Sequence, residues 1–110
     1  MRGTNTEVWE LRLYIAGQTG RSLAALSNLK KICEAHLPGR HRIKVIDLLI
    51  EPELAAGDQI IAVPTVVRAV PPPSRKLVGD LSDLQQTLQG LDLALEGATL
   101  PPSGETEEEI

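Results

Sequence analysis

The first fifty residues carry a strand, turn, helix and strand pattern that restricts the fold more than any other part of the chain. The segment VWELRLYIA (8–16) has apolar residues on both faces, which is typical of a strand in the middle of a sheet. GQTG follows it, and Thr19 or Ser22 can cap a helix that stops at a Pro-Gly pair. A second strand, RIKVIDLL (42–49), then predicts a right-handed parallel crossover.

The crossover helix has an apolar stripe at helical spacing, which predicts the side that packs on the sheet. The stripe consists of Leu23, Leu26, Leu29, Ile32, Cys33 and Leu37. Cys33 is the one cysteine of the chain, and its place on this stripe predicts a buried thiol without a disulfide or a redox partner.

The second half predicts a short helix, a hairpin and a final helix. Pro52 opens the short helix, which runs to about Ile60, and strands at 65–70 and 75–79 flank a Pro-Pro-Pro-Ser loop. Asp80 or Ser82 can cap the final helix, whose apolar stripe consists of Leu81, Leu84, Leu88, Leu91 and Leu95. The order βαβαββα, with a four-stranded mixed sheet and helices on both faces, is the thioredoxin-like α/β fold.

Length and charge predict one domain with flexible ends. At 110 residues and 42% hydrophobic content, the chain can bury a modest core, and we assign residues 8–97 to it, with a flexible N-terminus at 1–7. The halves carry opposite charge, and the Glu-rich end at 98–110 predicts a disordered acidic tail. The sequence shows neither an apolar run of membrane length nor a signal peptide, so we expect a cytoplasmic protein that does not bind membranes.

The residues do not match the usual catalytic, metal or nucleotide patterns. The turn after the first strand, where thioredoxins carry their thiol pair, contains no sulfur. GQTGRS lacks the spacing and the lysine of a phosphate-binding loop, and Cys33, His36 and His41 do not form a credible zinc set. Without a dense basic stripe, nucleic-acid binding is also disfavoured. We therefore expect a non-enzymatic recognition protein without a cofactor.

Four blocks of the sequence occur in the order and spacing of a known family: LRLYIAGQT, IKVIDLLIEPELAAGDQIIAVPTVV, VPPPSRKLVGDLSD and GLDLAL. The family is KaiB, which the chain resembles over residues 11–96. The resemblance implies a circadian-clock regulator that binds the ring of a KaiC-type ATPase, competes there with the KaiB-like sensor domain of a histidine kinase, and helps to sequester KaiA. It also implies a second, tetrameric fold of order βαββααβ, so that the protein would be metamorphic.

The same resemblance assigns three fold-switch residues, Pro64, Gly90 and Asp92, and implies a cis bond before Pro64. Thr87 and Gln89 stand where the family has Val and Ile, and Gln favours helix over those residues by a few tenths of a kcal/mol. We therefore expect the thioredoxin-like state to dominate, as a monomer or weak dimer, with the tetramer as a minor state.

The partner-binding positions that the resemblance carries over are Lys44, Asp58, Arg68, Arg75 and Lys76. Gln59 replaces a family lysine, and Ala24 and Ser27 replace basic residues of the first helix. Two alternatives remain open at the level of sequence. One is an adaptor in stress or two-component signalling, and the other is a redox-inactive domain that binds a peptide or glutathione.

Overall fold

Within residues 8–93, which are the ones that the computed structural model describes, four strands form one mixed sheet. The elements are β1 (Trp9–Ile15), α1 (Gly20–His36), β2 (His41–Asp47), a 3-10 helix (Pro52–Ala55), β3 (Thr65–Val70), β4 (Arg75–Val78) and α2 (Leu84–Leu91). The strand order is β2-β1-β3-β4; β1 is parallel to β2 and antiparallel to β3, and β4 is antiparallel to β3. This confirms the thioredoxin-like fold, and the tetramer order is not the one adopted. The predicted flexible ends and Leu95 lie outside the described residues.

The central strand β1 is buried on both faces, as its sequence predicts. Trp9, Leu11, Leu13 and Ile15 belong to the main core, which also contains buried residues of α1 and α2. Tyr14 points to the opposite face and packs there with Ile46, Val67 and Leu54 of the 3-10 helix. Both α-helices therefore cover one face, while the 3-10 helix covers part of the other.

The crossover helix α1 begins with a capping box. The Thr19 side chain accepts a hydrogen bond from the Ser22 main-chain N–H, and the Ser22 hydroxyl accepts one from the Thr19 N–H. The predicted stripe is wrong at Leu23, which is 54% exposed. The buried line of α1 runs through Ser22, Ala25 and Leu29 at spacings of three and four, and this turns Leu23 outward.

The short helix after β2 is shorter than predicted. It is a 3-10 helix that ends at Ala55, and the chain then turns through Gly57 and through Gln59, which has a left-handed φ of 55°. A helix cannot continue through a left-handed residue. The turn nevertheless allows Leu54 and Ile60 to pack against the second face of the sheet.

The final helix α2 starts later than predicted. Its N-cap is Asp83, whose carboxylate accepts a hydrogen bond from the Gln86 N–H, whereas the Asp80 carboxylate accepts from the Ser82 N–H in the preceding turn. Leu81 is buried but lies before the helix, and Leu84, on the first turn, is exposed. The predicted stripe therefore holds within α2 at Leu88 and Leu91.

Candidate protein-interaction site

The face of the sheet opposite α1 and α2 carries three basic residues in one cross-strand row. The row runs from Lys44 on β2 through Arg12 on β1 and Val67 on β3 to Lys76 on β4. Val67 belongs to the core cluster of this face, and side chains of cross-strand partners point to the same side. Lys44 and Lys76 are exposed at the two edge strands of the sheet. We refer to Arg12, Tyr14, Lys44, Asp58 and Lys76 together as the charged face.

Asp58 lies over the middle of this face. The turn after the 3-10 helix places its Oδ2 2.5 Å from the Tyr14 hydroxyl and 2.9 Å from Arg12 Nη1, both of which donate hydrogen bonds to it. The Asp58 side chain is 19% exposed. One carboxylate oxygen thus ties the loop to the central strand.

This pairing sets the ionisation of the three groups. Burial disfavours the Asp58 carboxylate, but the hydrogen bonds from Tyr14 and Arg12 outweigh burial and lower its pKa. Burial, together with the hydrogen bond to Asp58, raises the pKa of Tyr14 to about 12, and the same carboxylate raises the pKa of Arg12. At neutral pH the trio is therefore a carboxylate, a guanidinium and a neutral phenol.

Lys76 holds the same loop from the other side. Its Nζ donates to the main-chain carbonyls of Asp58 and Gln59, at 3.0 and 3.2 Å. A cavity of about 300 Å³ opens between Lys44, Arg12, Asp58 and Leu54, and one of about 230 Å³ lies beside Lys76. Three of the predicted partner contacts, Lys44, Asp58 and Lys76, are therefore brought together.

The other two predicted contacts, Arg68 and Arg75, lie on the opposite face, at the end of α2. Arg75 Nη2 is 2.7 Å from Asp92 Oδ2, and Arg68 Nη1 is 4.0 Å from the same oxygen. Asp92 is the C-cap of α2 and has a left-handed φ of 60°. The predicted contacts thus divide into two groups on two faces of the sheet.

Arg68 is not available as a surface contact in this conformation, which corrects that expectation. It is 4% exposed, and its guanidinium donates to the carbonyls of Leu91 and Pro73, each at 2.8 Å. The guanidinium carbon also lies 5.0 Å from the centre of the Trp9 ring. The sequence shows an Arg in a short strand but not that the end of α2 and the loop between β3 and β4 each place a carbonyl group at its guanidinium.

The predicted fold-switch residues lie where the second half packs together. The Val63-Pro64 bond is cis, as the resemblance implied, and the Pro64 carbonyl accepts from the Gly79 N–H. A Cβ at Gly90 would come within 3.1 Å of the Leu77 side chain, so this glycine allows α2 to approach β4 closely. Their role in switching stays a prediction.

Sequence reasoning missed Arg12 and Tyr14 as parts of the site. Their alternation with Leu11 and Leu13 showed that they share a face, but the partner Asp58 is 44 residues beyond Tyr14 in the chain.

Cys33 is fully buried, and burial raises the pKa of its thiol to about 12. Between residues 8 and 93, His, Cys, Asp and Glu side chains do not form a group of three or more that could hold a metal ion. No helix in that part of the chain is long and apolar enough to cross a membrane.

Residues 12–93 match the KaiB domain family. The chain is 48% identical over 90 residues to the circadian clock oscillator protein KaiB of Microcystis aeruginosa, covering 82% of this chain and 86% of that protein. It is 47% identical over 93 residues to the protein of the same name from a Nostoc species, covering 84% and 86%.

Among solved structures, the N-terminal domain of Synechococcus elongatus SasA superposes with a TM-score of 0.65 at 24% identity, over 84% of this chain and 90% of that domain. Mitochondrial thioredoxin 3 of Saccharomyces cerevisiae gives 0.62 at 18% identity, over 78% of each chain. At these identities the two likenesses establish the shared fold.

Proposed function

Because the chain belongs to the KaiB family, we propose that it is a non-enzymatic regulator that docks on a KaiC-type ATPase ring through the charged face. The observation that carries this proposal is the convergence of Lys44, Asp58 and Lys76, from two edge strands and a loop, on one exposed surface. These residues are far apart in the sequence, and the fold brings them to one face of the sheet. The relatives named circadian clock oscillator proteins support a role in a clock.

The free edge of β2 provides the second element of the interface. β2 is an edge strand of seven residues in the sheet that residues 8–93 form, so one row of its main-chain groups has no neighbouring strand within that part of the chain. A partner segment can extend the sheet there by main-chain pairing, while Lys44 and Arg12 fix its register through charge. We propose KaiA-like proteins as candidates for such pairing. Since the SasA domain shares this fold, competition with a histidine-kinase sensor domain for the ATPase is part of the proposal.

Charge reversal tests the proposal directly. Lys44→Glu and Lys76→Glu place acidic groups on the charged face, and each is expected to weaken binding to a KaiC-type ATPase, measured by biolayer interferometry, by at least about tenfold. Lys30→Glu, which makes the same change on the exposed side of α1, is the matched control and is expected to bind like wild type. Undiminished binding of both test variants would remove the charged face from the interface.

We also propose that the thioredoxin-like conformation, as a monomer or weak dimer, is the partner-binding state and that the tetramer is a minor alternative. Helix-favouring residues in α2 and the close packing of Gly90 on Leu77 support this. Light scattering combined with backbone chemical shifts tests it. A tetramer with strand shifts at residues 86–92 would contradict the proposal.

A further inference from the structure

A groove of about 290 Å³ lies between α1 and the start of α2, on the side of the sheet away from the charged face. Asn28, Ile32 and His36 line it from α1, and Leu81 and Leu84 line it from the other side. Ile32 and Leu81 are buried, whereas Leu84 is 49% exposed. The groove therefore has buried apolar residues in its lining, and residues 8–93 leave the apolar side chain of Leu84 open to solvent.

The groove runs toward the end of the sheet at which the described chain finishes. α1 runs from the end of β1 back to its beginning, since β2 then starts opposite Trp9. α2 finishes at the same end, because the Leu91 carbonyl accepts a hydrogen bond from Arg68, whose guanidinium lies over the Trp9 ring. Leu93 is buried in the core, so the chain continues from a fixed point at the end of the molecule where His36 lines the groove.

The segment that follows, residues 94–110, can reach into the groove. Its first large apolar residues are Leu95 and Leu100. Leu95 is too close to Leu93 for the chain to reverse its direction, because a tight reversal takes about four residues. Leu100 is seven residues beyond Leu93, up to about 25 Å in an extended chain, whereas the groove from His36 back to Asn28 is about 12 Å long. Leu100 can therefore reach the groove after a reversal.

Charge favours the same occupant. Residues 94–110 contain five Glu and neither Lys nor Arg, and four of the five Glu lie after Leu100. α1 has Glu34 as its one carboxylate and three exposed cations, which are Arg21, Lys30 and Lys31. Lys31 lines the groove and forms no ion pair with another residue between 8 and 93. A segment that inserts Leu100 would thus bring its glutamates to the basic surface of α1.

We propose that Leu100 of the same chain docks in this groove and that the glutamates after it lie along α1 at Lys31. Covalent attachment makes a weak contact sufficient, because a short flexible linker gives an effective concentration on the order of millimolar. The Glu-rich end itself stays outside the groove. Because the groove exists only when α2 packs beside α1, the docked segment stabilises this conformation over others of the same chain.

Paramagnetic relaxation enhancement in the ¹⁵N-labelled full chain tests the proposal. Ser103→Cys carries a nitroxide three residues beyond Leu100, and the buried Cys33 thiol, whose pKa is about 12, stays unlabelled at pH 8. The amides of Lys31 and Leu84 are expected to relax at least about threefold more strongly than those of the charged face.

Two pairs of variants in the labelled chain identify the contact. Leu100→Ser is expected to reduce the relaxation at the groove at least about threefold, whereas Thr99→Ser, one residue earlier, leaves it unchanged. Lys31→Glu should reduce it about twofold, and Lys30→Glu, the neighbouring exposed lysine outside the groove lining, should not.

Three results would overturn the proposal. Equal relaxation of the groove and the charged face would leave the groove for a separate partner. Unchanged relaxation in Leu100→Ser would remove this side chain as the anchor. The same relaxation in a mixture of nitroxide-labelled chains without ¹⁵N and ¹⁵N-labelled chains without nitroxide would assign the occupant to a second copy.

Discussion

Replacing Arg68 with alanine is expected to destabilise the protein far more than the same replacement of Arg75. The two arginines are cross-strand partners on β3 and β4, and both lie near Asp92. They differ in burial, since Arg68 is almost completely enclosed while the side chain of Arg75 is 47% exposed. The pair therefore compares one residue type in two environments at one place in the fold.

The magnitude follows from the contacts. Arg68 donates two hydrogen bonds of 2.8 Å, to the carbonyls of Leu91 and Pro73, and hydrogen bonds of charged groups contribute about 1.5–3 kcal/mol each. Its position over the buried Trp9 ring adds about 2 kcal/mol, the value for a desolvated pair. Because such terms do not add fully, we expect a loss of about 3–5 kcal/mol. The exposed ion pair of Arg75 is worth about 0–1 kcal/mol.

Urea unfolding followed by Trp9 emission measures both variants. Trp9 is the one tryptophan of the chain and is buried beneath Arg68, so its emission reports on the affected region. Transitions at two protein concentrations exclude a contribution from association. The reasoning is refuted if Arg68→Ala costs less than about 1 kcal/mol, or if the two variants are destabilised equally.

Three further outcomes are expected. Gly90→Ala should change the free energy of unfolding by less than about 1 kcal/mol, because the gain in helix propensity is opposed by contact with Leu77. In a Leu77→Ala background the same substitution should stabilise the protein by about 1 kcal/mol. Equal effects of Gly90→Ala in both backgrounds would contradict this explanation. Tyr14→Phe removes a hydrogen bond that lowers the pKa of Asp58, so carboxyl NMR titration should show that pKa rising. Because folding lowers the Asp58 pKa, its stabilisation is present above the unfolded value of about 3.9 and is lost as pH falls from that value through the folded one. In the variant, whose folded pKa is higher, the stabilisation should be smaller and its loss complete at a higher pH, and an unchanged titration would count against the assignment. Cys33, whose thiol pKa is raised to about 12 by burial, should resist alkylation at pH 8 in the native protein and react in urea; rapid native labelling would show that the thiol is accessible.

The element order could be predicted from the sequence because local signals agree with it. Alternating apolar residues in β1, the Thr19 cap of α1 and the prolines between β3 and β4 each specify a local conformation. The predicted helix boundaries that were wrong lie where several neighbouring residues could each begin the helix. Asp80, Ser82 and Asp83 are all good helix caps, and only the turn in which Leu81 is buried decides that Asp83 begins α2.

The site was predictable in part, because a residue type does not reveal what lies above it. Lys44 and Lys76 could be predicted as exposed cations on strands. The burial of Arg68 depends on the Leu91 carbonyl at the end of α2, 23 residues away in the chain, and on the Pro73 carbonyl in the loop between β3 and β4. The pairing of Arg12 and Tyr14 with Asp58 likewise depends on a loop conformation with a left-handed residue that the sequence does not specify.

The position of β1 in the middle of the sheet affects how the chain folds during synthesis. Its partner on one side, β2, is made soon afterwards, but β3 begins at Thr65, fifty residues after β1 ends at Ile15. Until β3 has left the ribosome, the edge of β1 that pairs with β3 in the folded protein has no neighbouring strand. The nascent β1-α1-β2 unit therefore exposes a strand edge that is prone to aggregation, and pairing with β3 removes that edge.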